Sequence, residues 1–371
     1  MGIAHLLALH SLPEIGNVRL TALLDYFGDA ETAWQNPEEW QRALPQLSGA
    51  ALAQLRQTRR ELEPWELYER FLLADTKLVT LPEPHYPPLL AQIDDPPYLL
   101  FYKGQLPEPT DLAIAIIGSR RATSYGREAA GFLAGGLARA GAWVIAGLAR
   151  GIDTAAHQAA LQAGGKTLGV LGCGIDLVYP RENRPLFRQM AEKGCIITEY
   201  PLGMQPLAKN FPFRNRIISG LSQGVIVVEA GLKSGTQITV DYALDQGRSL
   251  YAVPGSIFSP LSQGTFNLLK NVGIKPVARP EDVLEDFRPG ARPVSVQQQL
   301  FASAEELPPG LDELELRIWQ ALAGEKRHFN DLAAELAVSA GELSAKLTMC
   351  ELKGLVQRAE GQYFCRRTAG L

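Results

Sequence analysis

The sequence predicts an α/β protein: a mostly parallel sheet with helices on both faces, flanked by a small N-terminal helical domain and a C-terminal winged helix. Two observations carry this prediction. Short apolar runs alternate with helical stretches from residue 112 to residue 275, the pattern of strand–helix units whose strands are buried on both faces. The last sixty or so residues then read as helix, helix, helix and hairpin, after a segment rich in Pro, Gly and Gln. A third observation concerns charge. The net charge of −4 is the sum of +8 over residues 112–275 and −4 in each of 1–80, 81–111 and 276–371. Segregated positive charge costs self-repulsion and steers a polyanion, so the central region is expected to meet one.

Taken in order, residues 1–75 form short helices. LPEIGNVRLTALLDYFGD sets Leu20, Leu23, Leu24 and Phe27 at helical spacing behind a turn containing Pro13 and Gly16. That is either half of a helix–hairpin–helix, whose glycine turn admits a phosphate, or a small sterile-alpha-motif-like packing domain; the acidic balance favours the second. Residues 76–111 are Pro-rich and apolar, extended rather than helical, and are expected to pack on the strand–helix region after them. Candidate strands are Leu112–Ile117, Trp143–Gly147, Thr167–Leu171, Cys195–Thr198, Val225–Val228 and Leu250–Val253, within a domain spanning 76–290. Residues 291–310 read as a linker, and 311–371 as the winged helix, with a turn near Val338–Ser339 and a wing over about 355–364. Its recognition helix balances Lys346 and Lys353 against Glu342 and Glu351, leaving DNA and protein contact both open.

Composition narrows the classes further. An apolar fraction of 46% and a charged fraction of 20% suit a globular protein, and no apolar run is long enough to span a bilayer. The N-terminus has neither a basic start nor a cleavage site, so the cytoplasm is the expected location. Cys173, Cys195, Cys350 and Cys365 form no CxxC pair, which argues for reduced thiols rather than metal ligands or disulfides.

Ligands of parallel sheets bind beyond the carboxyl ends of the strands, so the loops there are the candidates. The first strand runs into Gly118, Ser119, Arg120 and Arg121, with Arg127 in the helix behind; guanidinium forks beside an open helix start make a phosphate pocket. Neither GxGxxG nor GxxxxGK[ST] is present there, which counts against dinucleotide enzymes and P-loop hydrolases. The second strand leads to Asp153, read as a helix cap, and His157, a pair that invites acid–base chemistry but more commonly caps and hydrogen-bonds. The most informative run, KNFPFRNRIISGLS, interleaves Lys209, Arg214 and Arg216 with Phe211 and Phe213. Cations track a phosphate backbone while aromatics stack on unpaired bases, which favours single-stranded nucleic acid. Against this stands burial of the Phe rings or an internal ion pair of Arg216. Finally Ser234, Gly235 and Thr236 precede a helix and offer another phosphate contact, with Glu229 the carboxylate at that strand end.

These segments, in this order, resemble the DNA-processing protein A (DprA, or Smf) family. The matching runs are GSRRATSYG at 118–126, ARGIDTAAH at 149–157, GCGIDLVYP at 172–180, TEYPLG at 198–203, NFPFRNRIISGLS at 210–222, VVEAGLKSGTQIT at 227–239 and YAVPGSIFSPLSQGTFNLL at 251–269. The resemblance implies an extended Rossmann-like fold that binds single-stranded DNA, forms a homodimer through that domain and loads the RecA recombinase during natural transformation, with no cofactor and no catalysis. It puts Arg120 in the DNA pocket and Lys209 and Phe211 at its rim. Two runs depart from the family pattern: SGTQITV at 234–240, where relatives read SGSLITA, and NLLKNVGI at 267–274, which sets Ile274 near the expected dimer surface. The alternative is a nucleotide phosphoribohydrolase of the lysine decarboxylase-like type, whose PGGxGTxxE run has here lost its double glycine and its Glu.

Overall fold

The computed structural model describes residues 2–232, 234–287, 311–322, 327–359 and 361–366. The chain divides into two compact units, Met1–Ala291 and Arg292–Leu371; the linker expected at 291–310 lies outside the described residues.

In the first unit nine strands form one sheet: β1 (Lys77–Thr80), β2 (Leu99–Gly104), β3 (Ala113–Ile117), β4 (Trp143–Ala146), β5 (Thr167–Val170), β6 (Cys195–Thr198), β7 (Gly224–Val227), β8 (Ser249–Ala252) and β9 (Ile274–Pro276). Their spatial order is β1-β2-β6-β5-β4-β3-β7-β8-β9. All pairs from β6 to β9 are parallel, while β2 runs antiparallel to both β6 and β1. The six strands expected from the sequence are all present, each within a residue of its predicted bounds. The Pro-rich segment adds the two antiparallel strands at one edge, and β9 closes the other.

Alternation along β3 shows how the sheet is held. Ala113, Ala115 and Ile117 face one core with Ile217, Ile218 and Val240, while Ile114 and Ile116 face the other with Leu133, Leu137 and Ala156. Side chains two residues apart share a face of a strand, so this strand is buried from both sides by helices. Residues 3–73 form six α-helices and a 3-10 turn. Their leucines and Trp34 and Trp40 share one continuous apolar cluster with Leu99, Phe101 and Ile196 of the sheet. The helical segment is thus fused to the sheet by a common core. Asn17 reinforces the junction, donating to Glu199 (2.9 Å) and accepting from the Tyr98 N–H (3.2 Å).

The second unit places helices Glu313–Ala321, Phe329–Leu336 and Ala340–Leu352 beside a small sheet of β10 (Arg327–His328), β11 (Val356–Ala359) and β12 (Tyr363–Arg366). Asp312 and Glu315 close a capping box at its first helix. Ile318, Leu332, Leu343, Leu347 and Phe364 form the core, the arrangement of a winged helix.

Among the described residues no helix is long and apolar enough to cross a membrane. Cys173, Cys195 and Cys350 are buried free thiols, and Cys365 is a free thiol only half covered.

Candidate functional site

Strand order reverses at β3, which has β4 on one side and β7 on the other. Loops leaving β3 and β7 therefore diverge, and a crevice opens between them at the carboxyl ends. The crevice has a volume of about 540 Å³. Gly118, Ser119 and Arg120 line it from β3; Ser234, Gly235 and Thr236 line it from β7; Phe211 and Arg214 line it from the start of the helix Asn210–Gly220. Eight residues singled out in the sequence thus converge on one cavity.

Backbone contacts fix these loops. Ser119 donates its N–H to the Glu229 carbonyl (2.8 Å), and its own carbonyl accepts from the Ile152 N–H (3.3 Å). Gly151, at φ 77°, lies so close that a Cβ there would stand 2.3 Å from the Ser119 oxygen. Only glycine fits both that φ and that approach. Ser234 Oγ accepts from the Thr236 N–H at 3.2 Å, closing the turn into the helix Thr236–Asp245.

Arg214 forms the floor of the crevice. It is 3% exposed, and its guanidinium donates to the carbonyls of Gly147 (2.8 Å) and Val170 at the ends of β4 and β5. Burial pushes it down to about 10, opposed by the charge of Asp153, so it remains a cation at neutral pH. Asp153 does not cap its helix as expected. The N-cap position is Gly151, and the Asp153 carboxylate accepts instead from the N–H groups of Gly147 (3.0 Å) and Ala149 (3.2 Å). Burial raises its carboxyl above the usual range. Arg214 and Asp153 together hold the β4 loop in place.

Aromatic side chains make the crevice wall. Phe211 lies over the end of β5, where a Cβ on Gly172 would come within 2.9 Å of the ring. Arg120 stands 5.2 Å from the ring centroid and Tyr179 packs at 5.4 Å, tilted 44°. Sequence reasoning missed Tyr179; its signal was an aromatic in the β5 loop, beside Pro180.

Other expected residues fall elsewhere. Arg121 is exposed outside the crevice, its N–H bonded to Ser119 Oγ (3.1 Å), and Arg127 turns back to the Ala122 carbonyl (2.6 Å). Arg216 is corrected as a DNA contact: it is 3% exposed, and both terminal nitrogens fork onto Glu199 at 2.7 Å, with Asp95 at 3.3 Å. The helix turns its guanidinium inward, where it lies 4.1 Å from the centroid of Phe213. Lys209 is exposed and faces a second cavity. The segment from Pro206 to Phe213 is a ridge: Pro206, Ala208 and Phe211 face the crevice, while Leu207, Lys209 and Phe213 face the second cavity.

The two carboxylate and histidine candidates for catalysis are both engaged. Glu229 is buried and accepts from the Thr123 N–H (2.9 Å) and hydroxyl (2.5 Å), fixing the cap of the helix Ser124–Arg139. His157 is fully buried against Thr167 Oγ1 (2.6 Å), and burial holds it down at about 3. Among the described residues no group of three or more His, Cys, Asp or Glu side chains is arranged to hold a metal.

In the second unit both recognition-helix lysines are engaged. Lys346 pairs with Asp312, and Lys353 pairs with Glu315 at 2.7 Å, while Met349 and Leu352 are exposed.

Fold and site define a doubly wound α/β protein with an arginine-floored crevice at its switch point, followed in sequence by a winged helix. Residues 77–288 match the family model of DNA recombination-mediator protein A, and residues 302–362 match that of the DprA winged helix domain. The chain belongs to the DprA/Smf family. It is 32% identical over 400 residues to Protein Smf of Synechocystis, covering 98% of each chain, and 39% identical over 287 residues to Protein Smf of Escherichia coli, covering 76% of each. The X-ray structure of DNA processing protein A from Streptococcus pneumoniae matches with a TM-score of 0.67 and 34% identity, over 75% of this chain and 95% of that one. DNA processing protein A from Helicobacter pylori, described for its single-stranded DNA binding mode, matches with a TM-score of 0.51 and 29% identity, over 58% of this chain and 97% of that one.

Proposed function

We propose that this protein binds single-stranded DNA in the switch-point crevice, protects incoming strands and loads a RecA-type recombinase onto them in transformation and recombination. The observation that carries the reading is the convergence of Arg120, Arg214, Phe211 and the Ser234–Thr236 turn in one cavity. Arg120 supplies a guanidinium group at the mouth, with Arg121 exposed outside the crevice as a further cation, and Arg214 adds fixed positive charge beneath it. Phosphates meet these cations and the turn before the helix Thr236–Asp245. Phe211, flanked by Arg120 and Tyr179, gives an unpaired base a face to stack on, which a base inside a duplex does not offer.

The single-stranded DNA binding of the Helicobacter pylori relative supports the ligand, and the family's description as a recombination mediator supports the recombinase role. The reading includes a cytoplasmic protein without cofactor or catalysis, acting as a homodimer through the sheet domain. Exposed Leu232, Ile257 and Phe258, on the loops that leave the adjacent strands β7 and β8, offer apolar side chains for such a contact. Because the recognition-helix lysines are paired internally, the winged helix is assigned no essential part in strand capture.

The test is a gel-shift comparison of single- and double-stranded oligonucleotides, with the full chain and with a chain lacking residues 311–371. Single-strand preference retained without those residues is the expected result. Loss of all DNA binding on their removal would transfer the activity to the winged helix.

A further inference from the structure

Lys209 and Phe211 are two residues apart, yet they face opposite sides of the ridge. A strand that touches both must cross it. The cavity beyond has a volume of about 600 Å³ and lies between the turn Leu12–Asn17 of the helical segment and the loop after β6.

Phe213 lies on that side, 43% exposed. Arg216 covers one face of its ring at 4.1 Å and is itself held by the fork onto Glu199. The ring is thereby fixed in orientation with its outer face open, which is what a stacking platform requires, because little side-chain freedom remains to be lost on binding. The ridge is anchored too: Asn210 donates to the Gly172 carbonyl (3.2 Å), and the Tyr200 hydroxyl donates to the Asn210 carbonyl (3.1 Å).

Charge in the cavity is arranged compatibly. Its three carboxylates are each engaged, Glu14 with Arg19 at 3.1 Å, and Asp95 and Glu199 sharing Arg216, so that Lys209 brings the formal charge of the cavity to balance. Lys209 has no carboxylate within ion-pairing distance among the described residues, so it is the cation left for a phosphate.

Resting on the crevice reading, we propose that a bound single strand crosses the Pro206–Phe213 ridge into this second cavity, with Phe213 as a second stacking face and Lys209 as a phosphate contact. Arg216 serves as the residue that positions Phe213.

The experiment is a binding series of oligodeoxythymidylates of increasing length, read by fluorescence anisotropy with the full chain. Phe213→Ala is expected to leave the shortest binders unchanged and to weaken the longer ones about tenfold, the effect of one lost stacking contact. Lys209→Gln, a surface change that does not threaten folding, is expected to make the salt dependence shallower for long strands only. Equal losses at all lengths, or none at any length, in both variants would overturn the continuation across the ridge. Arg120→Ala separates the two readings: if it abolishes short-strand binding while Phe213→Ala and Lys209→Gln are silent, the crevice stands and only the second subsite falls. If Arg120→Ala is itself silent, the crevice reading fails.

Discussion

Arg216 grips Glu199 with two parallel bonds of 2.7 Å, inside a helix whose neighbouring Phe213 ring lies against the same guanidinium. This pair joins the ridge helix to the end of β6, and Asn17 extends it to the helical segment through its 2.9 Å bond to Glu199. One buried ion pair therefore ties together three parts of the unit.

Breaking it should be costly. Removing one partner of a buried pair leaves an uncompensated charge, a loss of roughly 3–5 kcal/mol. Arg216→Ala is expected to lower the urea midpoint accordingly. Arg216→Lys should recover part of the loss by restoring charge without the fork. A change below about 1 kcal/mol in Arg216→Ala, the range of exposed pairs, would contradict the buried geometry.

Glu229 bears on whether the crevice catalyses anything. Its carboxylate accepts both the N–H and the hydroxyl of Thr123, and hydrogen bonds to a charged group of this kind contribute about 1.5–3 kcal/mol. Glu229→Gln is expected to reduce stability within that range in a thermal melt. Wild-type protein incubated with nucleoside monophosphates is expected to release no free base. Turnover that disappears in Glu229→Gln would instead favour a phosphoribohydrolase.

Acid sensitivity should trace in part to His157 and in part to His10, which burial also holds down, at about 4. Thr167 Oγ1 donates to the Val144 carbonyl at 2.6 Å, so it must accept from His157 Nδ1–H, leaving Nε2 buried without a partner. Burial, reinforced by the Arg214 charge, lowers the imidazole from 6.5 to about 3. Between these values the unfolded chain binds the proton and the folded one does not, so stability is complete above about pH 6.5 and declines as pH falls towards 3. At pH 5 the loss is about 2 kcal/mol. His157→Phe should reduce the dependence of Tm on pH between 7 and 5 without abolishing it, since His10 keeps its share; an unchanged dependence would contradict the assignment.

Much of the architecture was legible because its signals are local. The buried strands announce themselves as runs such as Ala113–Ile117 bounded by Gly or polar residues, and β3, β4, β5, β6, β7 and β8 were found on that basis. The edges were not. Lys77–Thr80 and Leu99–Gly104 become strands only by pairing with each other and with β6, a non-local event inside a Pro-rich stretch, and β9 ends on Pro276. Within the site, residues at the loop ends of β3 and β7 were predictable because chain order alone brings those ends to the crevice. The ridge was not, since a one-residue offset in entering the helix at Asn210 decides whether Lys209, Phe211 or Phe213 faces the crevice. For Arg216 the sequence left DNA contact and an internal ion pair both open, and the ion pair is what forms. The two-residue separation of Arg214 and Arg216 on a helix sends one guanidinium under the crevice and the other onto Glu199.

The central claim is that Arg120 neutralises phosphate at the crevice mouth while Phe211 stacks. Its most direct measurement is the salt dependence of single-strand affinity in Arg120→Ala beside Phe211→Ala. Each phosphate neutralised contributes about −0.7 to the log–log slope. Arg120→Ala should make the slope shallower by about that amount, whereas Phe211→Ala should weaken binding by roughly 1–3 kcal/mol at an unchanged slope. Wild-type affinity and slope retained in Arg120→Ala would contradict the account.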